Sequence, residues 1–362
     1  MPRRVALLMG GRSSEHPVSL ASARSVFEAL DPARYDVVTV EIGRDGRWSL
    51  GSGSPGQIGS GSNSPGLIGP GPVSDTGGGS VANRPQPPVP ATDGAVATTL
   101  ADVDVVLPIL HGPFGEDGTV QGLLELAGVP YVGAGVLGSA VAMDKDVFKV
   151  LMRGAGIPVT PSVTIRRGRP IEHPFEYPVF VKPARLGSSV GITKVNEPDE
   201  LEPAIDLARR HDEKVLIEEF VSGVEVECGV LGNDRPIASI PGEIVAHGFA
   251  GTDWYDYSAK YDEGGMDLII PPRVTEEQSR RVQELSVDAF IAAECEGMAR
   301  VDCFVRDNGE VLVNELNTIP GFTETSVYAK LFEASGIPYA ELLERLIELA
   351  CERHERRSTL EF

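Results

Sequence analysis

Two acidic residues and an amide in the last quarter of the chain are spaced so that they could bind a metal ion. The segment 307–310, Asp-Asn-Gly-Glu, is a strong signal for a two-residue β-hairpin turn that pairs Asp307 with Glu310. Counting outward in this register predicts three opposed pairs on one face of the sheet: Phe304 with Val313, Asp302 with Glu315, and Arg300 with Asn317.

Two bare carboxylates placed in this way repel each other, because the Cβ atoms of directly opposed residues lie roughly 5 Å apart. A cation is therefore expected between Asp302 and Glu315. Arg300 could provide it as a structural ion pair. A divalent ion fits better, since Asp302, Glu315 and Asn317 form an all-oxygen set of the kind that Mg²⁺ prefers. The hairpin thus predicts a metal-phosphate site, with Arg300 placed to meet the reacting group.

A second segment, residues 179–191, has a pattern that could bind phosphate. A predicted strand presents Lys182 on the face opposite Val179 and Val181, and a loop rich in glycine and serine follows. Such a loop offers backbone amides and hydroxyls to phosphate oxygens, while the lysine adds a positive charge. The alternative is an ordinary hairpin with an exposed lysine, and this segment alone leaves both interpretations open.

Two loops in the first half of the chain contain further candidate ligand-binding residues. The segment Gly10–Pro17 leads into a helix with a proline near its start. Because helix N-termini attract anions, Glu15 is either a partner of the helix dipole or a ligand for an ammonium group. The segment His111–Gly118 follows another strand, at the carboxyl edge where open α/β sheets bind ligands. His111 is accordingly either a structural or a ligand-binding histidine.

One glycine motif is misleading. Residues 133–138 match the glycine pattern of dinucleotide-binding folds, but no Asp or Glu lies between Asp146 and Glu172, where the ribose ligand is expected. This spacing argues against a nicotinamide or flavin site. The phosphate-binding Walker pattern is absent as well, so a bound nucleotide must be held in another way.

The elements that must position these residues follow from the apolar pattern. Apolar runs alternate with amphipathic stretches over the first 127 residues, which is typical of a parallel α/β unit. Residues 51–98 interrupt the pattern with Gly, Ser and Pro, and we expect a flexible insertion there. A helix is predicted from Ser139 to Arg153, followed by an α+β unit and then a second mixed unit.

Composition limits the class of protein. A chain of 362 residues is expected to form two or three domains, and its apolar runs are far short of a membrane span or a secretory signal. The four cysteines show no metal-site spacing, so reduced thiols are expected. A formal net charge of −21 argues against a nucleic-acid partner. An anionic ligand must therefore be held by a few cations and backbone amides.

Taken together, these segments resemble the D-alanine–D-alanine ligases, which are members of the ATP-grasp superfamily. The resemblance covers nearly the whole chain apart from the insertion. Its most specific pieces, in chain order, are Gly10–Ser19, His111–Gly118, Met143–Lys145, Lys182–Gly191, Tyr255–Tyr261, Arg300–Asp302, Asn314–Asn317 and Pro320–Ser326. It implies a three-domain ATP-grasp architecture: an N-terminal open parallel α/β domain (1–135), a central subdomain (136–221) and a C-terminal subdomain (222–362).

The resemblance implies three groups of residues around ATP and its metal ions. The phosphates would be bound by Lys145, Lys182 and a closing loop with Ser188 and Ser189. The adenosine would be bound by Glu218, Glu219, Val221 and Glu225. Two Mg²⁺ or Mn²⁺ ions would be held by Asp302, Glu315 and Asn317, and a monovalent cation is a further candidate cofactor.

The resemblance also implies the chemistry. The carboxylate of a first D-alanine attacks the γ-phosphate to give an acyl phosphate, and the amine of a second D-alanine then attacks the acyl carbon. Glu15 would take the ammonium of the first substrate, with His111 near its carboxylate. Arg300 and the backbone amide of Gly321 would stabilise the oxyanion, a form of preorganised charge that commonly contributes most to catalysis. Ser326 would bind the carboxylate of the second substrate.

A long loop at 247–263, with glycines at its ends, would close as a lid over the reaction. Lys260 would touch phosphate, and Tyr261 would bond with Glu15 and Ser188. Tyrosine at this place resembles the dipeptide-forming members, whereas the depsipeptide-forming ones tend to carry histidine. The approach to the lid is longer and richer in glycine than the family pattern. This departure bears on how fast the lid opens and closes, and not on the reaction itself.

The alternatives are a ligase that uses D-serine or D-lactate as second substrate, and a regulator that binds nucleotide without catalysis. A regulator is expected to have lost a metal ligand or the oxyanion arginine, and Asp302, Glu315, Asn317 and Arg300 are all present. The resemblance further implies a cytoplasmic homodimer, without nucleic-acid or membrane partners, that makes a peptidoglycan precursor and so supports cell-wall synthesis and cell shape.

Overall fold

A computed structural model describes residues 1–51, 94–168, 170–246 and 266–361 of the chain. Their strands form three separate sheets, each covered by helices. The predicted fold class, α/β combined with α+β, is confirmed. The predicted lid at 247–263, with Lys260 and Tyr261, lies outside the described residues, as does most of the 51–98 segment. None of the described helices is long and apolar enough to cross a membrane.

The N-terminal sheet has four strands in the order β3-β2-β1-β4. These are β1 (Arg3–Gly10), β2 (Tyr35–Ile42), β3 (Trp48–Leu50) and β4 (Val105–Pro108). β1 pairs in parallel with β2 and β4, so the carboxyl ends of β1 and β4 lie side by side. The helices are α1 (His16–Ala29), α2 (Gly94–Ala101) and α3 (Thr119–Ala127). The strand order brings the two predicted ligand-binding loops of this half together.

The central sheet is antiparallel, with the order β5-β8-β6-β7. Its strands are β5 (Ser162–Arg166), β6 (Val179–Pro183), β7 (Thr193–Val195) and β8 (Lys214–Glu219). A 3-10 turn at Pro198–Glu200 leads into α6 (Leu201–Arg209), whose buried face packs on the apolar side chains of β6 and β8. The alternating pattern Val179–Val181 buries both valines and leaves Lys182 on the other face.

The largest sheet has the order β12-β11-β9-β13-β14, with β10 paired to β9. Its strands are β9 (Gly223–Gly232), β10 (Ile237–Ala238), β11 (Gly242–Ala246), β12 (Met266–Ile269), β13 (Gly297–Arg306) and β14 (Val311–Asn317). The helix α7 (Glu276–Ala292) covers one face through a buried stripe of Val282, Leu285, Ala289 and Phe290. The chain ends with α8 (Val327–Ala334) and α9 (Tyr339–Ser358).

The predicted helix from Ser139 to Arg153 is in fact two helices, α4 (Val136–Met143) and α5 (Lys145–Gly154). The break falls at Asp144, which has extended backbone angles and accepts a hydrogen bond from the amide of Val147 at 3.1 Å. An aspartate in this position caps a new helix because its carboxylate satisfies an amide that lacks an intrahelical partner. The single-helix prediction was wrong because the apolar pattern does not register this cap.

The predicted hairpin register is correct at the site and wrong at the turn. Arg306 pairs with Glu310 around a three-residue turn, and Gly309 takes the left-handed φ of 89°. Phe304 therefore lies opposite Leu312, not Val313. A bulge at Asn314 inserts one extra residue into β14 and restores the predicted pairing of Asp302 with Glu315 and of Arg300 with Asn317.

The N-terminal sheet and the C-terminal helices share one apolar core. Val5, Leu7 and Met9 of β1 belong to the same buried cluster as Leu342 and Leu346 of α9. The four cysteines of the chain are free, as expected.

Arg353 reinforces this junction from α9, where its side chain is 3% exposed. Its guanidinium donates to the carbonyls of Tyr131 (2.7 Å) and Gly133, and lies 4.3 Å from the centre of the Tyr131 ring. These contacts fix the first sheet against the last helix.

We predict that Arg353→Met lowers the free energy of unfolding by roughly 2–4 kcal/mol, because it leaves two buried carbonyls without their donor. Urea unfolding followed by circular dichroism measures the change. Arg345→Met is the matched control, since Arg345 makes an exposed ion pair with Glu341 on the same helix at 2.6 Å. It should cost about 0.5 kcal/mol or less. Equal losses in the two variants would contradict the role given to Arg353.

Candidate active site

A cavity of about 590 Å³ opens between the N-terminal sheet and the largest sheet. Its walls include the loop after β1, the loop after β4, the loop between β6 and β7, the strands β13 and β14, and the loop after β14. Eight of the residues predicted from the sequence line it: Glu15, His111, Ser188, Arg300, Glu315, Asn317, Gly321 and Ser326. Residues from nearly the whole length of the chain thus meet in one place.

Arg300 lies between carboxylates on the floor of this cavity. Its guanidinium makes two hydrogen bonds of 2.7 Å to Asp302, and its Nε lies 3.0 Å from Glu227 Oε2. Glu227 is opposite Asp302 on β9 and is 4% exposed. Although burial lowers it, the charges of Asp302 and Glu227 raise the pKa of Arg300 well above its usual value. The structural ion pair of Arg300 with Asp302, which is the alternative to a divalent ion, is therefore present, and Glu227 adds a second carboxylate to it.

Glu315 is paired with a different cation. Lys145, the first residue of α5, has its Nζ 3.1 Å from Glu315 Oε2 and donates to the carbonyl of Leu186 at 3.0 Å. Burial lowers the pKa of Lys145, but the charge of Glu315 more than compensates and the pKa is raised. The lysine predicted to bind phosphate thus lies beside a predicted metal ligand.

The metal-binding prediction can be tested on the donor atoms. Among the residues placed by the structure, no group of three or more His, Cys, Asp or Glu side chains is arranged to hold a metal ion. The candidate set instead has two carboxylates and an amide, and the Nδ2 of Asn317 donates to Asp302 at 3.1 Å, which leaves the amide oxygen for another partner. The carboxylates of Glu227, Asp302 and Glu315 face two cations, Arg300 and Lys145. Hard oxygen donors with an excess of negative charge fit a divalent cation such as Mg²⁺.

Glu15 is held at the start of α1 by the loop that follows β6. Its side chain is 7% exposed and accepts a hydrogen bond from the hydroxyl of Ser188. Ser188 and Ser189 both have left-handed backbone angles, with φ of 52° and 56°. The predicted phosphate loop therefore already contacts the N-terminal half of the chain, 173 residues away in sequence.

His111 is buried, and its Nδ1 lies 2.9 Å from the carbonyl oxygen of Ile319 in the loop after β14. Because a carbonyl only accepts, Nδ1 carries the proton, and burial lowers the pKa of the ring. The Nε2 atom is buried without a hydrogen-bond partner among the described residues. A buried polar atom on a cavity wall favours a ligand-binding role for His111 over a purely structural one.

Glu116 lies near His111 and also lines the cavity. It accepts a hydrogen bond of 2.8 Å from the amide of Gly112. Burial, followed by the neighbouring charge of Glu15, raises the pKa of Glu116 to about 8. Two carboxyl groups this close do not readily ionise together, so a proton is expected to remain on Glu116 at neutral pH.

The phosphate lysine predicted on β6 is buried and paired. Lys182 is 7% exposed and its Nζ contacts Oε2 of Glu218 on β8. The other oxygen of Glu218 lies 3.1 Å from Nζ of Lys149, a fully buried lysine on α5. β6 and β7 do form the antiparallel hairpin of the alternative interpretation, but its exposed lysine is wrong, because Lys182 is buried.

The remaining predicted nucleotide residues lie along the end of β8 and the start of β9. Glu219 makes an ion pair with Arg306 at 3.1 Å, Val221 is 9% exposed, and Glu225 is half-buried opposite Phe304. The second-substrate residues lie in the loop after β14, where Ser326 donates to the carbonyl of Thr323 at 2.7 Å and lies close to Gly321.

Sequence reasoning assigned no role to Glu227, Glu116 or Lys149. Glu227 alternates with Glu225 on a predicted strand, but its pairing with Asp302 follows only from the strand order. Glu116 lies in the segment His111–Gly118, whose pattern predicts a ligand-binding role only for His111. Lys149 lies four residues after Lys145 on an otherwise apolar helix face, and a lysine there is the signal that could have found it.

The chain matches two family models, described as "D-ala D-ala ligase N-terminus" over residues 4–134 and "D-ala D-ala ligase C-terminus" over residues 151–348. A D-alanine--D-alanine ligase of Geobacillus thermodenitrificans is 44% identical over 375 residues, with 100% of this chain and 99% of that protein covered.

The solved structures with a similar fold include the following two. The VanG D-Ala:D-Ser ligase of Enterococcus faecalis is 35% identical with a TM-score of 0.77, and the match covers 97% of this chain and 100% of that one. A D-alanine--D-alanine ligase of Bacillus anthracis complexed with ATP is 25% identical with a TM-score of 0.73, covering 98% and 99%.

The raised pKa of Glu116 predicts a pH-dependent stability. A carboxyl group whose pKa rises from 4.5 to about 8 on folding stabilises the protein below pH 4.5, and this contribution is lost as the pH rises through 8. Between about pH 5 and pH 8 the free energy of unfolding of wild type should fall, because Glu116 ionises. In Glu116→Gln this fall should be smaller by roughly 2–4 kcal/mol.

Urea unfolding at several pH values measures this difference. Glu348→Gln, which changes an exposed carboxylate on α9, should keep the wild-type pH dependence. A Glu116→Gln protein with the same pH dependence as wild type would show that Glu116 is ionised in the folded state.

Proposed function

The chain belongs to the D-alanine–D-alanine ligase family, and on this basis we propose that it joins two molecules of D-alanine, with hydrolysis of ATP, to give D-alanyl-D-alanine. The observation that carries the proposal is the convergence of Glu15, His111, Arg300 and Ser326 on the cavity that Glu315 also lines. These residues provide an ammonium ligand, a polar group for a carboxylate, a cation for an oxyanion and a hydroxyl for a second carboxylate. A carboxylate-amine ligase needs each of these groups.

Substrate binding would begin at Glu15. Its carboxylate, held by Ser188, can pair with the ammonium of the first D-alanine. His111 would meet the carboxylate of that substrate, since its Nε2 has no hydrogen-bond partner among the described side chains and becomes a donor when the ring is protonated. A bound anion favours that protonated form.

Activation of the first carboxylate requires the γ-phosphate of ATP nearby. Lys145 lies beside Glu315 in this region, and Lys182 would supply a second positive charge to the phosphates. Both lysines are nine-tenths buried, so that solvent screens them weakly. Asp302, Glu315 and Asn317 fit two Mg²⁺ ions, which when bound would neutralise the charge of the transferring phosphate. Mn²⁺ would fit the same oxygen donors, and a monovalent cation is proposed as an additional cofactor.

The acyl phosphate of the first D-alanine would then react with the amine of the second. Arg300 and the backbone amide of Gly321 would stabilise the negative oxygen of the tetrahedral intermediate. Arg300 is held by Asp302 and Glu227, so its guanidinium needs little reorganisation during the reaction. Ser326 would bind the carboxylate of the second D-alanine.

We retain the three-domain division at residues 135 and 221 as a proposal. It is supported by the sheets, since β8 of the central sheet ends at Glu219 and β9 of the largest sheet begins at Gly223. The helices α4 and α5 pack into the apolar core of the largest sheet, although they fall within the proposed central subdomain.

A homodimer in the cytoplasm that supplies a peptidoglycan precursor is the wider proposal. It is supported by the family and by the need for intracellular ATP. The ligase that uses D-serine is the second candidate for the acceptor, because VanG, a D-Ala:D-Ser ligase, is 35% identical over nearly the whole chain. Acceptor choice would also depend on Tyr261, which lies outside the described residues.

The proposed reaction is tested by phosphate release. Purified protein with ATP and Mg²⁺ should release phosphate when D-alanine is added, with D-alanyl-D-alanine as the product detected by mass spectrometry. Replacing half of the D-alanine with D-serine or D-lactate measures acceptor preference. Absence of phosphate release with D-alanine alone would overturn the proposed function.

Glu315→Gln should lower kcat by on the order of a hundredfold, because it removes a charge from the metal set at nearly constant volume. A circular dichroism spectrum and melting curve close to wild type would show that the fold is retained. Near-normal turnover in this variant would refute the metal-binding role of Glu315.

Glu227→Gln should lower kcat by roughly tenfold with little change in the KM for ATP, because Arg300 loses one of its two charged partners. Glu243→Gln is the matched control: Glu243 is also 4% exposed and binds Arg273 in the loop between β12 and α7, and it does not line the cavity. The control should lose stability but keep its kcat. A kcat for Glu227→Gln equal to wild type would contradict the role of Glu227.

A further inference from the structure

Lys149 is the most deeply buried charged residue in the described part of the chain. It lies on α5 with a side chain that is 0% exposed, among the apolar residues Phe148 and Met152. Its Nζ lies 3.1 Å from Glu218 Oε1 and 3.4 Å from the carbonyl of Thr160. An ammonium group is rarely buried completely, because removing it from water is costly even when it is paired. A lysine at this position is therefore expected to have a role other than packing.

This role is indicated by the charge of Glu218, with which Lys149 pairs. This carboxylate is 2% exposed and has one lysine on each oxygen: Lys149 on Oε1 from α5, and Lys182 on Oε2 from β6. Burial opposes ionisation of Glu218, but the charges of Lys149 and Lys182 lower its pKa, so the carboxylate is ionised. One negative charge cannot neutralise two positive ones. The three groups together keep an excess of one positive charge inside a protein whose net charge is −21.

Within this group of three, Lys182 is the residue through which the excess charge can reach a ligand. Lys149 faces the interior and reaches the carbonyl of Thr160, whereas Lys182 is the residue that the phosphate-loop pattern predicts at the nucleotide. Without Lys149, Lys182 and Glu218 would form a closed, neutral pair, and the attraction of Lys182 for a phosphate would be offset by the carboxylate beside it. With Lys149 in place, the charge of Glu218 is already matched.

We propose that Lys149 is a positioning residue for nucleotide binding, which neutralises Glu218 from the interior so that Lys182 keeps its charge for a phosphate of ATP. This inference rests on the proposed function for the identity of the ligand. It assigns a role in binding to a residue that does not touch the nucleotide. A purely structural role, in which Lys149 only anchors α5 to β8, makes different predictions.

The test is the affinity of the protein for ADP with Mg²⁺, measured by isothermal titration calorimetry. Lys149→Met keeps the length of the side chain and removes the charge, and should raise the Kd for Mg-ADP on the order of tenfold. The KM for D-alanine should change less than twofold. Lys149→Gln keeps a hydrogen-bond donor for Glu218 without the charge, and should weaken ADP binding as much as Lys149→Met does. If Lys149 is only an anchor, Lys149→Gln should bind ADP nearly as well as wild type.

Two further variants separate the mechanism from a general effect of losing a buried lysine. Lys214 is 8% exposed and is held by Asp144 at 2.6 Å and Asp146 at 3.2 Å, so Lys214→Met should lower the melting temperature without changing the Kd for Mg-ADP. In a Lys182→Met background, Lys149→Met should have little additional effect, because there is no longer a charge on residue 182 to release.

Three results with the variants would overturn the inference. These are an unchanged Kd in folded Lys149→Met and Lys149→Gln, an equal loss of affinity in Lys214→Met, or additive losses in the double variant with Lys182→Met. Wild-type protein that fails to bind Mg-ADP would overturn it as well. Wild-type protein that binds Mg-ADP but releases no phosphate with D-alanine would contradict the proposed function alone, since the calorimetric test does not depend on turnover.

Discussion

The need to compensate buried charge organises the centre of this protein. Three carboxylates, on Glu227, Asp302 and Glu315, lie side by side on the adjacent strands β9, β13 and β14. Carboxylates in this arrangement repel one another, and the low dielectric of the interior strengthens the repulsion. Arg300 and Lys145 are the cations that the described structure brings to them. In the proposed function these carboxylates would hold a divalent cation, and Arg300 would stabilise the oxyanion of a reaction intermediate.

A parallel arrangement of opposite sign lies on the central sheet. There Glu218 is surrounded by Lys149 and Lys182, so that positive charge exceeds negative charge. An acidic chain has few cations to spare, and these are concentrated where an anionic phosphate would arrive. The two clusters are joined by α5, which carries Lys145 to the first and Lys149 to the second, four residues apart on one helix face. The cap at Asp144 sets where this helix begins, and therefore where both lysines lie.

Apolar packing then positions the N-terminal sheet, which forms one side of the cavity. Because β1 and α9 share one buried cluster, and Arg353 fixes α9 to the carbonyls of Tyr131 and Gly133, the N-terminal sheet stands at a defined position against the largest sheet. This position brings Glu15 and His111 to the loops at Ser188 and Ile319, with hydrogen bonds across 173 and 208 residues of sequence. The cavity forms because these contacts hold the three sheets at fixed positions relative to one another.

Much of this could be predicted from the sequence, because it depends on local pattern. Alternating apolar residues predict the strands, and counting outward from the Asn-Gly turn predicts the pairing of Asp302 with Glu315. The turn has three residues instead of two, but the bulge at Asn314 shifts the register back by one residue and restores this pairing. Residue types alone indicate a metal set and a phosphate lysine. Only the tertiary structure decided which charged residues from distant elements pair with each other. These pairs are Glu227 with Arg300, Lys145 with Glu315, and Lys149 with Glu218. Strand order and helix packing place these charges together, and no spacing along the chain records which buried charge will neutralise which.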